Sequence, residues 1–227
     1  MSFIKIVKMK RLIKGMALLG FSLRAWYYFI RYNFLSKHVV RNNKMKFLWP
    51  RRHTVICFEK GSVLELNGNY IIGTQQMRGA HQEARLYVQS GGKYIIGKEG
   101  FEQFAGMYVR IMPKGELEIN GLVANEGCQI TAGEKISIGN GCLFARDVTL
   151  RSDDVHIIKE EGYKASKPIY LGNHVWVGQG ATILKGVTVG DGAIVASKSL
   201  VIKDVPANTL VGGIPAKVIR NEIEWEA

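Results

Sequence analysis

The sequence predicts an all-β solenoid, a parallel β-helix, preceded by a basic helical arm and followed by a short tail. Three observations predict it: a six-residue repeat in the C-terminal third, looser copies of that repeat upstream, and a charge distribution that sets the first 53 residues apart. A period of six fits neither an α-helix nor an ordinary alternating strand. It fits very short strands joined by tight turns.

From residue 171 the chain aligns with itself in blocks of six, and each block begins with an aliphatic residue. These first positions are Leu171, Val177, Ile183, Val189, Val195 and Val201. The fifth positions are small or β-branched: Val175, Ala181, Val187, Ala193, Ser199 and Val205. We expect the first residue to point inward and to stack on its equivalent one coil away, at about 4.8 Å, and the fifth to lie near a corner. Between these positions, Gly172-Asn173 and Gly190-Asp191-Gly192 are expected to tolerate the unusual dihedral angles of the turns.

Upstream the pattern loosens, and residues 54–150 are interpreted as irregular coils of the same solenoid. The phase of the repeat breaks between Leu150 and Ile169. The segment between them therefore reads as an inserted loop, and loops that interrupt a regular solenoid tend to carry function. The predicted organisation is an arm at 1–53, a solenoid at 54–205 with the insertion at 151–168, and a helical or extended tail at 206–227 that covers the end.

The net charge of +12 is concentrated in the arm. Thirteen of the 31 Lys and Arg residues precede residue 53, and the first acidic residue is Glu59. The rest of the chain is nearly balanced, which argues against a protein that coats nucleic acid with its whole surface. Cys57, Cys128 and Cys142 form no CxxC pair, which favours a reducing compartment over a disulfide scaffold. No uncharged apolar run reaches the 18 or so residues of a membrane span.

The arm has three interpretations. On a helical wheel, apolar side chains of residues 6–23 gather on one side and basic ones opposite, and an aromatic cluster with Arg24 and Arg31 follows. A basic amphipathic helix with aromatic residues is typical of binding to a surface rich in anionic lipid. A helix that caps the open end of the solenoid fits as well, and the two roles can coexist. Nucleic-acid binding is the weakest interpretation, since no motif accompanies the charge.

Three segments carry a resemblance to a known family. Residues 167–178 (KPIYLGNHVWVG) resemble the signature of left-handed β-helix acyltransferases, and so do residues 203–208 (KDVPAN) and 213–220 (GIPAKVIR). The family includes galactoside, maltose and xenobiotic acetyltransferases and the O-acetyltransferases of capsule, exopolysaccharide and lipopolysaccharide sugars. The close match covers residues 120–222. The arm and the irregular coils look most like the capsule and exopolysaccharide branch. The left hand of the helix is implied by this resemblance and not by the spacing.

The resemblance implies a homotrimer that transfers an acetyl group from acetyl-CoA to a hydroxyl of a cell-surface polysaccharide sugar, or of its precursor, without a metal. A sugar hydroxyl needs a general base, most often a neutral imidazole, and the thioester oxyanion needs donors such as backbone N–H groups. The expected location is cytoplasmic, at the inner face of the membrane if the arm binds lipid. N-acetylation of an amino sugar and a non-catalytic scaffold remain open as alternatives.

His156 lies in the insertion, at the position where the family's loop carries its catalytic base. Asp154 is expected to orient its ring or to accept a substrate hydroxyl, and otherwise to be a solvated acid. Asn125 resembles the family asparagine that reaches the active site from an earlier coil, and otherwise is a turn residue. The other histidines read as surface or structural groups: His38, His53, His81 and His174. A metal-dependent carbonic anhydrase on the same fold needs three convergent histidines, and His81, His156 and His174 do not show its spacing.

The resemblance also implies the residues that bind acetyl-CoA. Trp176 matches the family tryptophan beside the CoA and the subunit boundary, although an aromatic that packs the trimer is the alternative. Gln179 and Ser197 match positions that touch the pantetheine arm. Lys203, Lys217 and Arg220 match basic positions near the nucleotide phosphates, where cationic side chains form charge-assisted hydrogen bonds; each could instead be a solvated surface residue.

Overall fold

The fold is a parallel β-helix of three sheets, described for residues 22–76 and 82–226 of a computed structural model. Successive strands belong to successive sheets. A strand therefore pairs in parallel with the strands three places before and after it in the chain, as β10 does with β7 and β13. The first sheet contains β1 (Val39–Arg41), β4 (Val63–Leu66), β7 (Lys93–Ile96), β10 (Glu116–Ile119), β13 (Lys135–Ile138), β16 (Ile169–Leu171) and β19 (Thr188–Val189).

The second sheet ends with the one antiparallel pair of strands in the described part of the chain. It contains β2 (Leu48–Pro50), β5 (Tyr70–Thr74), β8 (Phe101–Phe104), β11 (Leu122–Ala124), β14 (Cys142–Phe144), β17 (Trp176–Val177), β20 (Ile194–Val195), β22 (Leu210–Gly213) and β23 (Ala216–Arg220). The third sheet contains β3 (Thr54–Phe58), β6 (Ala84–Val88), β9 (Tyr108–Ile111), β12 (Gln129–Ala132), β15 (Thr149–Arg151), β18 (Thr182–Leu184) and β21 (Leu200–Val201). In β22–β23 the chain reverses, so the tail takes the extended form.

The repeat places its residues as the sequence predicts. All six first-position aliphatic residues from Leu171 to Val201 are buried, and so are all six fifth-position residues from Val175 to Val205. They form the interior of the solenoid, continuous with the buried side chains of the earlier coils. The burial of apolar surface, which contributes about 25 cal/mol per Å², is the main stabilisation of such a stack.

The expected turn conformation holds for one glycine of the repeat and not for two others. Gly172 and Gly190 do not adopt a positive φ, whereas Gly192 does, at +67°. A Cβ on Gly190 would lie 2.4 Å from the backbone nitrogen of Ala207 in the next coil. On Gly139, it would lie 2.4 Å from the carbonyl oxygen of Gly172. These glycines are required because successive coils approach too closely for any side chain, and the dihedral explanation is wrong for Gly172 and Gly190.

Gly139→Ala should therefore lower the free energy of unfolding by about 1–3 kcal/mol, the usual cost of overpacking a filled site. Thermal unfolding of the variant and the parent measures the loss. Gly162→Ala is the matched control, since no heavy atom lies within 4 Å of its added Cβ and its φ of +75° adds a dihedral cost alone. That cost is about 1 kcal/mol. A Gly139→Ala protein as stable as the parent would contradict the close-approach explanation.

The solenoid begins earlier in the chain than the expected boundary at residue 54. β1 pairs with β4 and β2 pairs with β5, so residues 39–50 already form strands of the first two sheets. Before them, helix α1 (Leu23–Ile30) continues into a π-helical turn (Arg31–Leu35). The Ser22 hydroxyl caps α1 by accepting a hydrogen bond from the Ala25 N–H. The amphipathic pattern of residues 6–23 falls almost wholly outside the described residues.

Helix α1 and the π-helical turn pack onto the first coil. Phe29 stacks on Trp49 with ring centroids 4.7 Å apart, and Tyr32 is buried in the main core. The Asn33 amide donates to the Leu48 carbonyl at 2.8 Å and accepts from the Leu48 N–H at 2.9 Å. This segment therefore covers the N-terminal end of the stack, one of the roles expected of the arm. No helix of residues 22–76 and 82–226 is long and apolar enough to cross a membrane.

The three cysteines are free thiols with different surroundings. Cys57 is exposed, whereas Cys128 and Cys142 are buried. Burial raises the pKa of the Cys128 thiol to about 11, and it also raises the pKa of Cys142. Because the thiolate is the reactive form, a maleimide should label Cys57 alone in the folded protein and all three after unfolding. Mass spectrometry of labelled peptides measures this, and rapid labelling of Cys128 in the native protein would contradict it.

Candidate active site

The insertion leaves the solenoid at the edge between the third and first sheets, after β15 and before β16. It doubles back on itself, because Asp153 and Ser166 form an antiparallel bridge near its base. The Asp153 carboxylate is buried there; it accepts a hydrogen bond from the Ser166 hydroxyl and another, of 2.5 Å, from the Val155 N–H. The insertion is thus a hairpin with a fixed base.

A lysine from the next coil holds the hairpin in place. The Lys185 ammonium binds the Asp154 carboxylate, donates to the Tyr163 hydroxyl at 3.1 Å and donates to the Lys164 carbonyl at 2.7 Å. It also lies 4.2 Å from the centroid of the Tyr163 ring. The Tyr163 hydroxyl donates to Asp154 Oδ2 at 2.6 Å. The Lys185 side chain is 16% exposed and the Asp154 side chain is 40% exposed, so this cluster is only partly shielded from water.

The Lys185–Asp154 pair stays charged over a wide range of pH. The hydrogen bonds from Lys185 and Tyr163 lower the pKa of Asp154 below its ordinary value. Burial by itself lowers the pKa of Lys185, but its hydrogen bonds to Asp154 and Tyr163 outweigh burial and raise that pKa. Asp154 is therefore ionised at any pH above its ordinary pKa, and Lys185 is protonated at any pH below its ordinary pKa. The Lys185–Asp154 ion pair, which anchors the hairpin, is therefore intact between about pH 4 and pH 10, the ordinary pKa values of the two groups.

His156 lies on the exposed side of this hairpin. Its backbone N–H donates to the Asp154 carbonyl at 2.7 Å, and its carbonyl accepts from the Tyr163 hydroxyl at 3.4 Å. Within the described parts of the chain, its imidazole makes no hydrogen bond. The preceding residue, Val155, has a φ of +66°, a left-handed conformation that costs a β-branched residue energy and is held by the base of the hairpin. The backbone of His156 is fixed, and its ring is free to meet a ligand.

Asp154 does not contact the His156 ring in this structure. Its carboxylate is bound by Lys185 and Tyr163, so its observed contacts fix the hairpin rather than orient the imidazole. The sequence alone could not show this, because Tyr163 and Lys185 become neighbours of Asp154 only when the hairpin folds against the next coil.

Asn125 occupies a different edge of the solenoid, between β11 of the second sheet and β12 of the third. Its amide nitrogen donates to the Phe144 carbonyl at 3.0 Å, and its amide oxygen accepts from the Gln76 amide at 2.8 Å. The Gln76 amide oxygen accepts in turn from Arg146 at 3.2 Å. The Asn125 side chain therefore has one fixed orientation, as a group that contacts a substrate requires.

Asn125 lies in the wall of a groove of about 380 Å³ on the outer face of the second sheet. The groove is mostly apolar and is lined by Val123, Asn125, Leu143, Phe144, Ala145, Trp176, Trp225 and Glu226. Trp176 is 42% exposed. An apolar groove with a few placed polar groups is the usual form of a small-molecule site.

The tail completes one side of this groove. The Trp225 ring stacks on the His174 imidazole, with centroids 3.8 Å apart and planes 4° apart, and lies 5.8 Å from the Trp176 ring. His174 Nε2 donates to the Trp225 carbonyl at 2.8 Å. His174 therefore fixes the tail, and its contact with Trp225 could not be predicted from the sequence, since the two are 51 residues apart.

The candidate residues fall into two groups at different edges. Asn125, Gln179 and Ser197 lie at the edge between the second and third sheets, next to Trp176 on the second sheet and to Lys217 and Arg220 on β23. His156, Asp154 and Lys203 lie at the edge between the third and first sheets. One chain thus presents two separate half-sites.

Lys185 and Tyr163 are the residues of the hairpin cluster that sequence reasoning missed. A signal for Lys185 existed, because it occupies the third position of a six-residue block, the corner position filled by Asn173 and Gln179 in the two preceding blocks. Among the remaining histidines, His38 is packed: it stacks on Phe58 and hydrogen-bonds through Nδ1 to the Ser62 carbonyl at 2.8 Å. His81 lies outside the described residues.

Comparison with known proteins identifies the repeat. Residues 168–203 match the family model described as bacterial transferase hexapeptide (six repeats). The chain carries the bacterial transferase hexapeptide repeat. The hexapeptide repeat includes Trp176 and Lys185, and it begins at the last residue of the insertion. The resemblance to hexapeptide-repeat acyltransferases that the sequence suggests is confirmed.

Similar proteins extend the match beyond the hexapeptide repeat. Galactoside O-acetyltransferase of Escherichia coli (strain K12) is 37% identical over 100 residues, 43% of this chain and 49% of that protein. Polysialic acid O-acetyltransferase of Escherichia coli O1:K1 / APEC is 35% identical over 137 residues, 52% of this chain and 44% of that protein. The chain thus spans about half the length of the curated relatives it matches.

A solved structure supports the fold over a longer span. The polysialic acid O-acetyltransferase OatWY has a TM-score of 0.53 and 22% sequence identity, and the similarity covers 79% of this chain and 87% of that one. Together with the three parallel sheets, this confirms the predicted left-handed parallel β-helix.

Proposed function

We propose that this protein transfers an acetyl group from acetyl-CoA to a hydroxyl of a cell-surface polysaccharide sugar, or of its precursor. The observation that carries the proposal is the His156 imidazole: it is exposed, it has no internal partner within the described residues, and it stands on a hairpin anchored by Lys185. Similarity to galactoside and polysialic acid O-acetyltransferases supports the choice of a sugar hydroxyl as acceptor.

In this reaction His156 acts as general base. Its neutral imidazole takes the proton of the sugar hydroxyl while the hydroxyl oxygen attacks the thioester carbonyl carbon. The carbonyl becomes an oxyanion, which backbone N–H groups stabilise. The C–S bond then breaks, and the imidazolium returns its proton to the CoA thiolate. Atoms and charge balance without a metal ion or a covalent enzyme intermediate. Asn125, whose amide is fixed by Phe144 and Gln76, is placed to orient the acceptor.

The cofactor half-site fits acetyl-CoA. Gln179 and Ser197 are exposed on neighbouring coils at one edge of the solenoid, where an extended pantetheine arm can follow the stack. Lys203, Lys217 and Arg220 are exposed, and none forms an ion pair with another described residue. Unpaired cations of this kind suit the phosphates of CoA. Trp176 supplies an apolar surface on the same sheet as Lys217 and Arg220, whereas Lys203 lies at the edge that carries the hairpin.

A complete site requires a second copy of the chain. We propose a homotrimer in which the hairpin of one copy faces the second sheet of the next, because His156 and Asn125 lie at different edges. The outer face of that sheet supports this arrangement: Val123, Leu143, Trp176 and Ile194 form an apolar row in direct register across four strands. A reaction that uses acetyl-CoA and a membrane-bound glycan precursor fits a cytoplasmic enzyme, at the inner face of the membrane if the arm binds lipid.

The test is an acetyl-transfer assay on the full chain. The protein is incubated with acetyl-CoA and a panel of surface polysaccharides, hydroxyl sugars and amino sugars, and CoA release is followed with a thiol reagent. We expect an acetyl ester, which mild alkali removes and whose position NMR identifies. An alkali-stable amide would instead show N-acetylation of an amino sugar. Absence of turnover with every acceptor would favour a non-catalytic scaffold. Light scattering gives the mass, and a monomer would contradict the shared site.

A further inference from the structure

Helix α1 and the π-helical turn carry a second apolar surface that stays largely exposed when they pack on the first coil, although the Phe34 ring also contacts the rings of Phe29 and Phe47. Phe29 and Tyr32 face the solenoid and are buried. On the opposite side, five large apolar side chains are exposed, and we name this set the outer face: Leu23, Tyr27, Ile30, Phe34 and Leu35. Leu23 is 88% exposed and Leu35 is 76% exposed. A helix that is apolar on both sides is normally covered on both sides.

The spacing makes the outer face continuous. Leu23, Tyr27, Ile30 and Phe34 follow one another at intervals of four, three and four residues, which places them in one stripe along a helix. The stripe lies at the N-terminal end of the solenoid, because the opposite side of the same helix packs Phe29 on Trp49 of β2, in a small cluster separate from the main core. An exposed apolar patch of this kind on a soluble domain marks a site of interaction.

The rim of the outer face is positively charged. Arg31 donates to the Tyr27 hydroxyl at 2.7 Å, and the Arg41 guanidinium lies 5.2 Å from the centroid of the Phe34 ring. Arg24 and Lys37 are exposed nearby. In the described ranges, none of these four cations is paired with a carboxylate. The sequence contains no acidic residue before Glu59, so their charge is not balanced locally.

We propose that the outer face docks on a lipid bilayer with anionic headgroups, with its leucine and aromatic side chains in the interface. A bilayer offers apolar depth and negative charge together, which is what a stripe of Leu, Ile, Tyr and Phe rimmed by Arg and Lys requires. A second copy of this chain is a poorer occupant, because the same unbalanced cations would then face one another. Docking would hold the enzyme beside membrane-bound glycan carriers, but the inference does not depend on the proposed acetyl transfer.

The test uses point variants of the full chain and not a deletion of residues 1–52. A deletion would also remove β1, β2 and the buried Tyr32, and so expose the core. Leu23→Gln/Ile30→Gln/Phe34→Gln removes the apolar stripe, and Arg24→Gln/Arg31→Gln/Lys37→Gln removes charge from the rim. Ile202→Gln/Val218→Gln/Ile219→Gln is the matched control, since it replaces three exposed apolar residues at the other end of the molecule. Circular dichroism first establishes that each variant is folded, and light scattering records its mass.

Flotation is measured with vesicles of phosphatidylcholine alone and of phosphatidylcholine with phosphatidylglycerol. We expect the parent and the control variant to float with the anionic vesicles and not with the neutral ones. The variant of the apolar stripe and the variant of the charged rim should each bind anionic vesicles at least about tenfold more weakly than the parent. Failure of the parent to float, or flotation of the stripe variant equal to the parent, would overturn the proposal. A stripe variant whose mass falls while its flotation is unchanged would show that a second copy occupies the face.

Discussion

His156→Ala should reduce kcat for acetyl transfer by about 10²–10⁴-fold, the usual contribution of a positioned general base. The reason is that the imidazole accepts the hydroxyl proton, and neither Asp154 nor Tyr163 on the same hairpin is available to replace it. Asp154 is occupied by Lys185 and Tyr163, and the Tyr163 hydroxyl is committed to Asp154. The fold should not change, because the side chain is exposed and contributes no hydrogen bond within the described residues. Steady-state kinetics with saturating acetyl-CoA measures the effect.

The matched control for His156→Ala is Lys159→Ala, which removes another exposed side chain from the same hairpin. We expect the control to keep kcat within about twofold, as surface substitutions outside a site usually do. A His156→Ala protein that retains the parent's kcat and oligomeric mass would sink the assignment of the base. Equal loss in both variants would show that the hairpin as a whole, and not the imidazole, supports the reaction.

Lys185→Met should lower kcat by about 10–100-fold through the position of His156, in line with the effect of displacing a catalytic group by about 1 Å. The methionine keeps most of the volume but loses three interactions at once: with the Asp154 carboxylate, the Tyr163 hydroxyl and the Lys164 carbonyl. Without the cation, the pKa of Asp154 should rise back toward its ordinary value. The affinity for acetyl-CoA should change little, because the groups proposed to bind it lie mainly at the other edge.

Kinetics of Lys185→Met, Lys185→Arg and Lys114→Met separate a positioning role from a general loss of stability. Arginine keeps the charge and should restore part of kcat. Lys114 is an exposed lysine two coils earlier at the same edge of the solenoid, and it forms no ion pair with another described residue. The Lys185–Asp154 pair of the parent is charged from about pH 4 to pH 10. The kcat of Lys185→Met should therefore be lower than the parent's at every pH in that range, and not only at its acidic or basic end. A variant with unchanged kcat, or one that loses as much through KM for acetyl-CoA as through kcat, would contradict the positioning role.

The C-terminal coils could be predicted from the sequence because each residue type is imposed by one local contact. Aliphatic residues stand at every sixth position from Leu171 to Val201, and only a solenoid with a six-residue repeat buries all of them. The first coil could not be predicted in this way. Its strands at residues 39–50 are short and lack the six-residue pattern, and they are recognisable as strands only through their pairing with β4 and β5.

The candidate site could also be predicted only in part. The position of His156 followed from the break in the repeat, which is a property of the sequence. The contacts of Asp154 did not, because Tyr163 and Lys185 reach it from nine and 31 residues away, after the hairpin has folded onto the next coil. The Trp225–His174 stack is a still longer contact, and the separation of Asn125 from His156 appears only when each is assigned to an edge of the solenoid.

The reversed strand β23 has a consequence for self-assembly. A stack of parallel strands offers an open edge at each end, and an open edge can be extended by another chain. In the second sheet, the growing end is occupied by a strand that runs the opposite way, and the tail beyond it is held by a hydrogen bond from the Ile223 N–H to the Asn208 carbonyl at 2.9 Å. At the other end, helix α1 packs against β2. In the second sheet the two ends are therefore unlike each other, and another molecule would meet a reversed strand at one end and helix α1 at the other instead of two matching parallel edges.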